Sequence, residues 1–169
     1  VATGASVGVV GNGNTTNGAT TATYATAATA AAINFSGGTT GTGAVTLTAA
    51  GATSLAITST GADNTTGNVT TASTGITSVT IDAATDLTAS SLAIGTNAGT
   101  QSLSITGAGD VSLGAIDTDF ASVDASGSTG GVTATLSATV AATFTGGSGN
   151  DVVTTSTNAQ TGAVNAGDG

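Results

Sequence analysis

The chain runs to 169 residues and carries a formal charge of −9 that no cationic side chain offsets, since it holds no Lys, Arg or His and its nine acidic residues are all Asp. That excludes ion pairs between its side chains, sets aside nucleic-acid phosphate, which needs Lys or Arg to displace counterions, and disfavours an anionic membrane surface. The absence of Cys excludes disulfides and thiolate metal sites, leaving repetition, a metal or assembly with neighbours to hold the chain together.

What can neutralise nine Asp is a metal ion, and carboxylates with backbone carbonyls are the hard oxygen ligands that Ca²⁺ takes. Pro, Met and Trp are absent, and Tyr24, Phe35, Phe120 and Phe144 are the only aromatic residues. Ala, Thr, Gly, Ser and Asn fill most of the rest, which points to a thin core of small side chains. A high net charge favours disorder when hydrophobicity is low, but hydrophobic residues reach 38% here and recur in a pattern. No apolar run approaches the roughly 20 residues needed to span a bilayer. No charged n-region opens the chain and Val1 stands where an initiator Met would, so the sequence reads as an internal piece of something longer.

In chain order, residues 1–44 are poorly patterned beyond Val7-Gly8-Val9-Val10 and Ile33-Asn34-Phe35. They are expected to form irregular rungs, a separate β-module or a partly disordered segment. Within them, Tyr24–Ile33 has the Ala content for a short helix, against which stand its Thr and its lack of charged partners.

From 45 to 145 a repeat emerges. Gly51-Ala52-Thr53-Ser54-Leu55-Ala56-Ile57 returns as Gly75-Ile76-Thr77-Ser78-Val79-Thr80-Ile81 and again as Gly99-Thr100-Gln101-Ser102-Leu103-Ser104-Ile105, 24 residues apart each time. Each copy is a turn glycine followed by period-2 alternation, the mark of a half-buried strand. Asp86-Leu87-Thr88 and Asp110-Val111-Ser112 keep the same 24-residue step. Later copies, at Ala121-Ser122-Val123-Asp124 and Ala142-Thr143-Phe144-Thr145, shorten the step to 20 and 21. A unit of this length with short strands and Gly, Asn or Asp at its corners predicts an all-β fold, a parallel β-solenoid with rungs of 20–24 residues. Leu55, Val79 and Leu103 would line one inward ladder, and Ile57, Ile81 and Ile105 another. The competing arrangement, an antiparallel β-sandwich, has no reason for a fixed step.

The strongest local motif follows, at Gly146-Gly147-Ser148-Gly149-Asn150-Asp151-Val152-Val153-Thr154. It satisfies every position of the nonapeptide G-G-x-G-x-D-x-U-x, in which U is a large apolar residue. The glycines allow a tight turn with carbonyl oxygens pointing inward, the Asp supplies a charged oxygen, and U anchors the next short strand. Two such turns on adjacent rungs can enclose one Ca²⁺. Asn165-Ala166-Gly167-Asp168-Gly169 begins a second copy, 20 residues after the first when Gly147 is matched to Gly167. In a chain with 27 Gly, the other reading is a glycine-rich loop that arose by chance. Residues 146–169 are therefore set apart as one or two calcium-binding turns, the second incomplete.

With these residues in view, the chain resembles the calcium-binding repeats-in-toxin (RTX) proteins, and more narrowly the Ala/Thr/Gly-rich bacterial S-layer proteins of the Caulobacter kind that carry such repeats. The nonapeptide at 146–154 carries the wider likeness. The run Phe120-Ala121-Ser122-Val123-Asp124-Ala125-Ser126, a strand pair and then Phe144-Thr145-Gly146-Gly147 carries the narrower one. The likeness extends over about residues 45–169 in character and some two dozen residues in motif. It implies export by type I secretion, Ca²⁺ binding and self-assembly into a lattice on the bacterial cell surface. It also implies that Asp151 is the carboxylate ligand, with the carbonyls of Gly147 and Gly149 as partners. Asp168, in the incomplete second turn and not at the motif's Asp position, is a further metal candidate. Toxin-type members carry many consecutive nonapeptides, whereas this chain carries one and a half.

Weaker metal candidates are Asp86 and Asp110, which would stack on neighbouring rungs, and Asp117, Asp119 and Asp124, which lie within eight residues. Like charges stacked across strands repel, so either a cation bridges them or they face water as turn residues. Catalysis finds no support, because His, Cys, Lys, Arg and Glu are absent and Ser has no activating partner. Asn-x-Ser/Thr triplets at Asn14, Asn34, Asn64 and Asn68 are expected by chance in so Thr-rich a chain. The sequence thus leads to a structural, self-assembling extracellular protein stabilised by Ca²⁺. The alternatives are an adhesin stalk or another RTX-type binding module, and an enzyme's export domain. An ice-binding face is disfavoured because no regular Thr-x-Thr ladder persists.

Overall fold

The computed structural model describes residues 1–13, 17–95, 101–136, 142–155 and 162–169. Asn14 and the Gly99-Thr100 pair of the third repeat lie outside the described residues.

Among them there are fifteen strands and no helix. Odd-numbered strands form one sheet: β1 (Val7–Val10), β3 (Ala30–Ser36), β5 (Ser54–Thr60), β7 (Ser78–Ala83), β9 (Gln101–Gly107), β11 (Phe120–Ser128), β13 (Thr143–Thr145) and β15 (Val164–Asn165), in that order. Even-numbered strands form the other: β2 (Thr20–Thr23), β4 (Val45–Thr48), β6 (Asn64–Thr71), β8 (Leu87–Ile94), β10 (Val111–Ile116), β12 (Val132–Thr135) and β14 (Val152–Thr154). Every pairing is parallel, each strand joining the one two places before and after it. The chain therefore alternates between the sheets as it climbs. This is a parallel β-solenoid, and the 24-residue step is its rung.

The register matches the repeat residue by residue. Ser54, Ser78 and Ser102 pair in series, as do Leu55, Val79 and Leu103, and Ile57, Ile81 and Ile105. The shortened steps hold as well, with Val123 beside Leu103 and Phe144 beside Val123. On the facing sheet, Val45, Val69 and Leu92 form one inward column and Leu87, Val111 and Val132 another. The apolar members of these columns are buried, and together with fully covered Phe35 and Phe120 they fill the space between the sheets. At about 25 cal/mol per Å² of apolar surface removed from water, this continuous ladder is the principal stabilising contribution.

The described residues among the first 44 belong to the same stack. Val7 pairs with Ile33, 26 positions on, and Ala31 with Leu55 at the 24-residue step. The Ala-rich stretch from Tyr24 is not helical: Ala25–Ala28 closes a turn and β3 starts at Ala30. Tyr24 explains the choice, since its buried hydroxyl donates to the carbonyl of Ala32 at 2.7 Å and accepts the Ala32 N–H at 3.0 Å. A strand leaves that peptide group open to a side-chain partner, whereas a helix would use it internally.

Candidate calcium turn and acidic corner

The corner leading into the second sheet concentrates the acidic residues. Asp63, Asp86, Asp110 and Asp151 each stand immediately before a strand of that sheet, β6, β8, β10 and β14, while Gly131 takes the place before β12. A turn precedes each strand there, and Asp suits turns because its short carboxylate bonds nearby backbone N–H groups.

In the solenoid those N–H groups belong to the neighbouring rung. Asp86 Oδ1 accepts the N–H of Asp110 at 2.8 Å, and Asp110 Oδ1 accepts the N–H of Gly131 at 2.7 Å. The stacked carboxylates thus find a third solution besides a bridging cation or water: each caps an open backbone donor one rung along. Charge-assisted bonds of this kind are about twice as strong as neutral ones, which offsets the repulsion between like charges in a column.

Asp151 works in both directions. Its Oδ1 accepts the N–H of Val132 on the preceding rung at 2.8 Å, and its Oδ2 accepts the N–H of Gly147 in its own turn at 2.9 Å. The turn is glycine for steric reasons. A Cβ on Gly146 would collide with Asp151 Oδ2 and the carbonyl of Ala166, and one on Gly147 with the carbonyl of Ser128. Gly149 likewise lies against the backbone of Gly130. Val153, the apolar anchor of the nonapeptide, packs against the core from β14, whereas Val152 points to solvent.

Gly167 and Gly169 lie one rung beyond, their α-carbons packed against the carbonyls of Gly147 and Gly149. The N–H of Asp168 donates to the Gly147 carbonyl at 3.0 Å, with Asp168 itself exposed. The two glycine turns therefore sit on successive rungs, as β13 and β15 require by pairing Thr145 with Asn165. The candidate ligands there are oxygens alone, two carboxylates and two carbonyls, which fit Ca²⁺ in kind. Asp151, the carbonyls of Gly147 and Gly149, and Asp168 are the groups that could hold it. Among the described residues, no three carboxylates lie close enough to share an ion without backbone help.

Asp117, Asp119 and Asp124 have different surroundings. Asp117 Oδ1 accepts the N–H of Asp119 at 3.2 Å and the Thr118 hydroxyl at 3.4 Å. Asp117 and Asp119 rim a cleft of about 350 Å³ with Thr46, Thr70 and Gly95. Asp124 is exposed on β11 between Ser104 and Thr145. There the Ser126 hydroxyl, and then its backbone N–H at 3.0 Å, hold the Asp124 carboxyl below the usual carboxylate range, against a small opposing effect of burial.

Two residues escaped sequence reasoning. Asp63 shares the corner, and its signal was there to find, but the step from Asn64 to Leu87 is 23 residues and falls out of the 24-residue frame. Asn64 is fully buried and accepts the Thr39 N–H at 3.0 Å while donating to Ser59 at 2.9 Å and the Ala62 carbonyl at 2.7 Å. It staples two rungs from the inside, a role that an Asn in a Thr-rich stretch does not announce. No protein-family model, curated protein or solved structure matches the chain.

Proposed function

We propose that this chain is a structural element of a self-assembling bacterial surface layer, held in order by Ca²⁺. The observation that carries the reading is the doubled glycine turn at one corner of the parallel solenoid. Asp151 ties two rungs there, and the carbonyls of Gly147 and Gly149 face the next turn. The acidity supports it too, because nine carboxylates with no side-chain cation call for a counterion from outside, and Ca²⁺ is the hard divalent ion that such oxygens prefer. A solenoid is a rigid, quasi-one-dimensional module, suited to bearing load and to packing against copies of itself. The resemblance to RTX-type S-layer proteins adds export by type I secretion and a place on the cell surface.

The test is electron microscopy of the purified chain with Ca²⁺ and again after chelation. Ordered sheets, tubes or filaments that dissolve on chelation are expected. Monomers under both conditions would overturn the reading in favour of an adhesin stalk or export module.

A further inference from the structure

A serine endoprotease chooses its cleavage point by the side chain it takes into a primary pocket: cationic for the trypsin class, large and apolar for the chymotrypsin class, small for the elastase class. The first pocket finds nothing here, because the chain holds no Lys or Arg. The second is left with the seven Leu and the four aromatic residues, since Met and Trp are absent. Every one of these is buried, Tyr24 being the most exposed at 4%. The stretches outside the described residues, 14–16, 96–100, 137–141 and 156–161, contain no Lys, Arg, Leu or aromatic residue in their sequence.

We infer that the folded chain is closed to endoproteases of the trypsin and chymotrypsin classes, the first by composition and the second by the way the solenoid holds its large side chains. Burial of the side chain is one barrier. The backbone is another, because a protease binds the residues around the cleaved bond as an extended segment paired with its own main chain. In the solenoid those groups are already paired on both sides. Leu55 lies between Ala31 and Val79, Leu103 between Val79 and Val123, and Leu87 between Asn64 and Val111. Tyr24 and Leu136, just past the ends of β2 and β12, are tied as well. The Tyr24 hydroxyl is bonded to the Ala32 peptide, and the Leu136 N–H donates to the Thr154 carbonyl at 2.9 Å.

Freeing any of these side chains means taking a strand out of the sheet and its ladder member out of the core, so cleavage by the chymotrypsin class must follow unfolding of the stack. The elastase class stands apart, since small side chains, Val10 and Val152 among them, are exposed. This resistance belongs to the single folded chain and needs neither Ca²⁺ nor assembly. On a surface open to secreted proteases it would spare the chain from two of the three classes.

The experiment compares chymotrypsin cleavage of the unsubstituted chain with that of an unfolded reference, the triple variant Ile57→Asp, Ile81→Asp, Ile105→Asp. The reference keeps every Leu and aromatic residue but places three charges in one inward column, where they cannot be buried unpaired, and circular dichroism verifies that it is unfolded. Both proteins are kept below the concentration at which the chain assembles, checked by light scattering, so that burial in the fold is separated from burial between copies. Trypsin, which has no site in either protein, is the blank for contaminating activity. Chymotrypsin should cut the unsubstituted chain at least about 10³-fold more slowly than the reference, as folded domains with equilibrium constants of about 10³ or more require. A smaller ratio would overturn the inference. Ile81→Ala supplies a second readout: by weakening the whole stack it should speed cleavage about 30-fold or more, with fragments from many bonds appearing together. Cleavage at a single Leu or aromatic bond, at a rate that Ile81→Ala leaves unchanged, would show that side chain reaching the protease without unfolding and would overturn the inference too. Either failure leaves the proposed function standing, because assembly is read separately.

Discussion

At the scale of single residues, the nonapeptide turn is defined by what cannot be added to it. A methyl group on Gly147 would run into the carbonyl of Ser128 and come within 2.7 Å of that of Ala125, and both belong to rigid backbone. Gly147→Ala should therefore cost about 1–3 kcal/mol or more, the range for overpacking a site that cannot relax. Gly8→Ala serves as the control, because its added methyl meets nothing closer than 4.0 Å. Urea unfolding of the two variants should separate them clearly, and equal midpoints would mean that the turn yields. Asp124 offers a second test at this scale. Its carboxyl is held below the usual range by Ser126, so its contribution to stability is in place above the range of the unfolded carboxylate and is lost as pH falls through the lower folded value. Ser126→Ala removes the hydroxyl and keeps the backbone N–H, so a carboxyl carbon titration followed by NMR should show the Asp124 pKa rising part of the way back. No movement would assign the whole effect to the backbone bond.

Among the elements, β5, β7 and β9 repeat one solution three times, and the cost of damaging it depends on the face. Ile81 is buried between Ile57 and Ile105 in its column, while Thr80 on the same strand faces outward. Ile81→Ala should destabilise by about 2–5 kcal/mol, the range for a large-to-alanine change in a packed core. Thr80→Ala should stay within about 0.5 kcal/mol, and thermal unfolding of the pair checks the contrast. That same contrast explains what was legible in the sequence. Strands with Leu, Ile and Val on the inward face announce both themselves and their register, and the 24-residue frame at Ser54, Ser78 and Ser102 is the register of the sheet. Strands such as β2, Thr20–Thr23, and the Ala-rich start of β3 alternate between small residues of similar polarity, which is why residues 1–44 resisted reading. The glycine turn was legible because each of its positions has a separate steric or chemical demand. The acidic corner was legible only in part. The pairing of Asp86 and Asp110 follows from spacing, but a carboxylate bonded to the N–H of the next rung depends on three-dimensional stacking that spacing alone does not specify.

For the whole molecule, the proposed role of Ca²⁺ turns on whether the ion binds at one place or screens the charge as a whole. A ligand that binds the folded state alone adds about 2.7 kcal/mol at one hundred times its dissociation constant. At about 2–4 °C per kcal/mol for a chain of this size, saturating Ca²⁺ should raise Tm by about 5–11 °C. General screening of nine carboxylates would also raise Tm, but it predicts a different response to substitution. Asp151→Asn and Asp82→Asn each remove one negative charge, the first from the turn and the second from the exposed outer face of β7. Binding at the doubled turn predicts that Asp151→Asn abolishes most of the Ca²⁺-induced rise while Asp82→Asn keeps it. Screening predicts that both variants lose the same small fraction, and that Mg²⁺ at equal concentration works as well as Ca²⁺. Calorimetric scans of the two variants with each ion distinguish these outcomes. Equal losses, or equivalence of the two ions, would remove the turn from the mechanism and leave a solenoid whose acidity is satisfied by any divalent counterion.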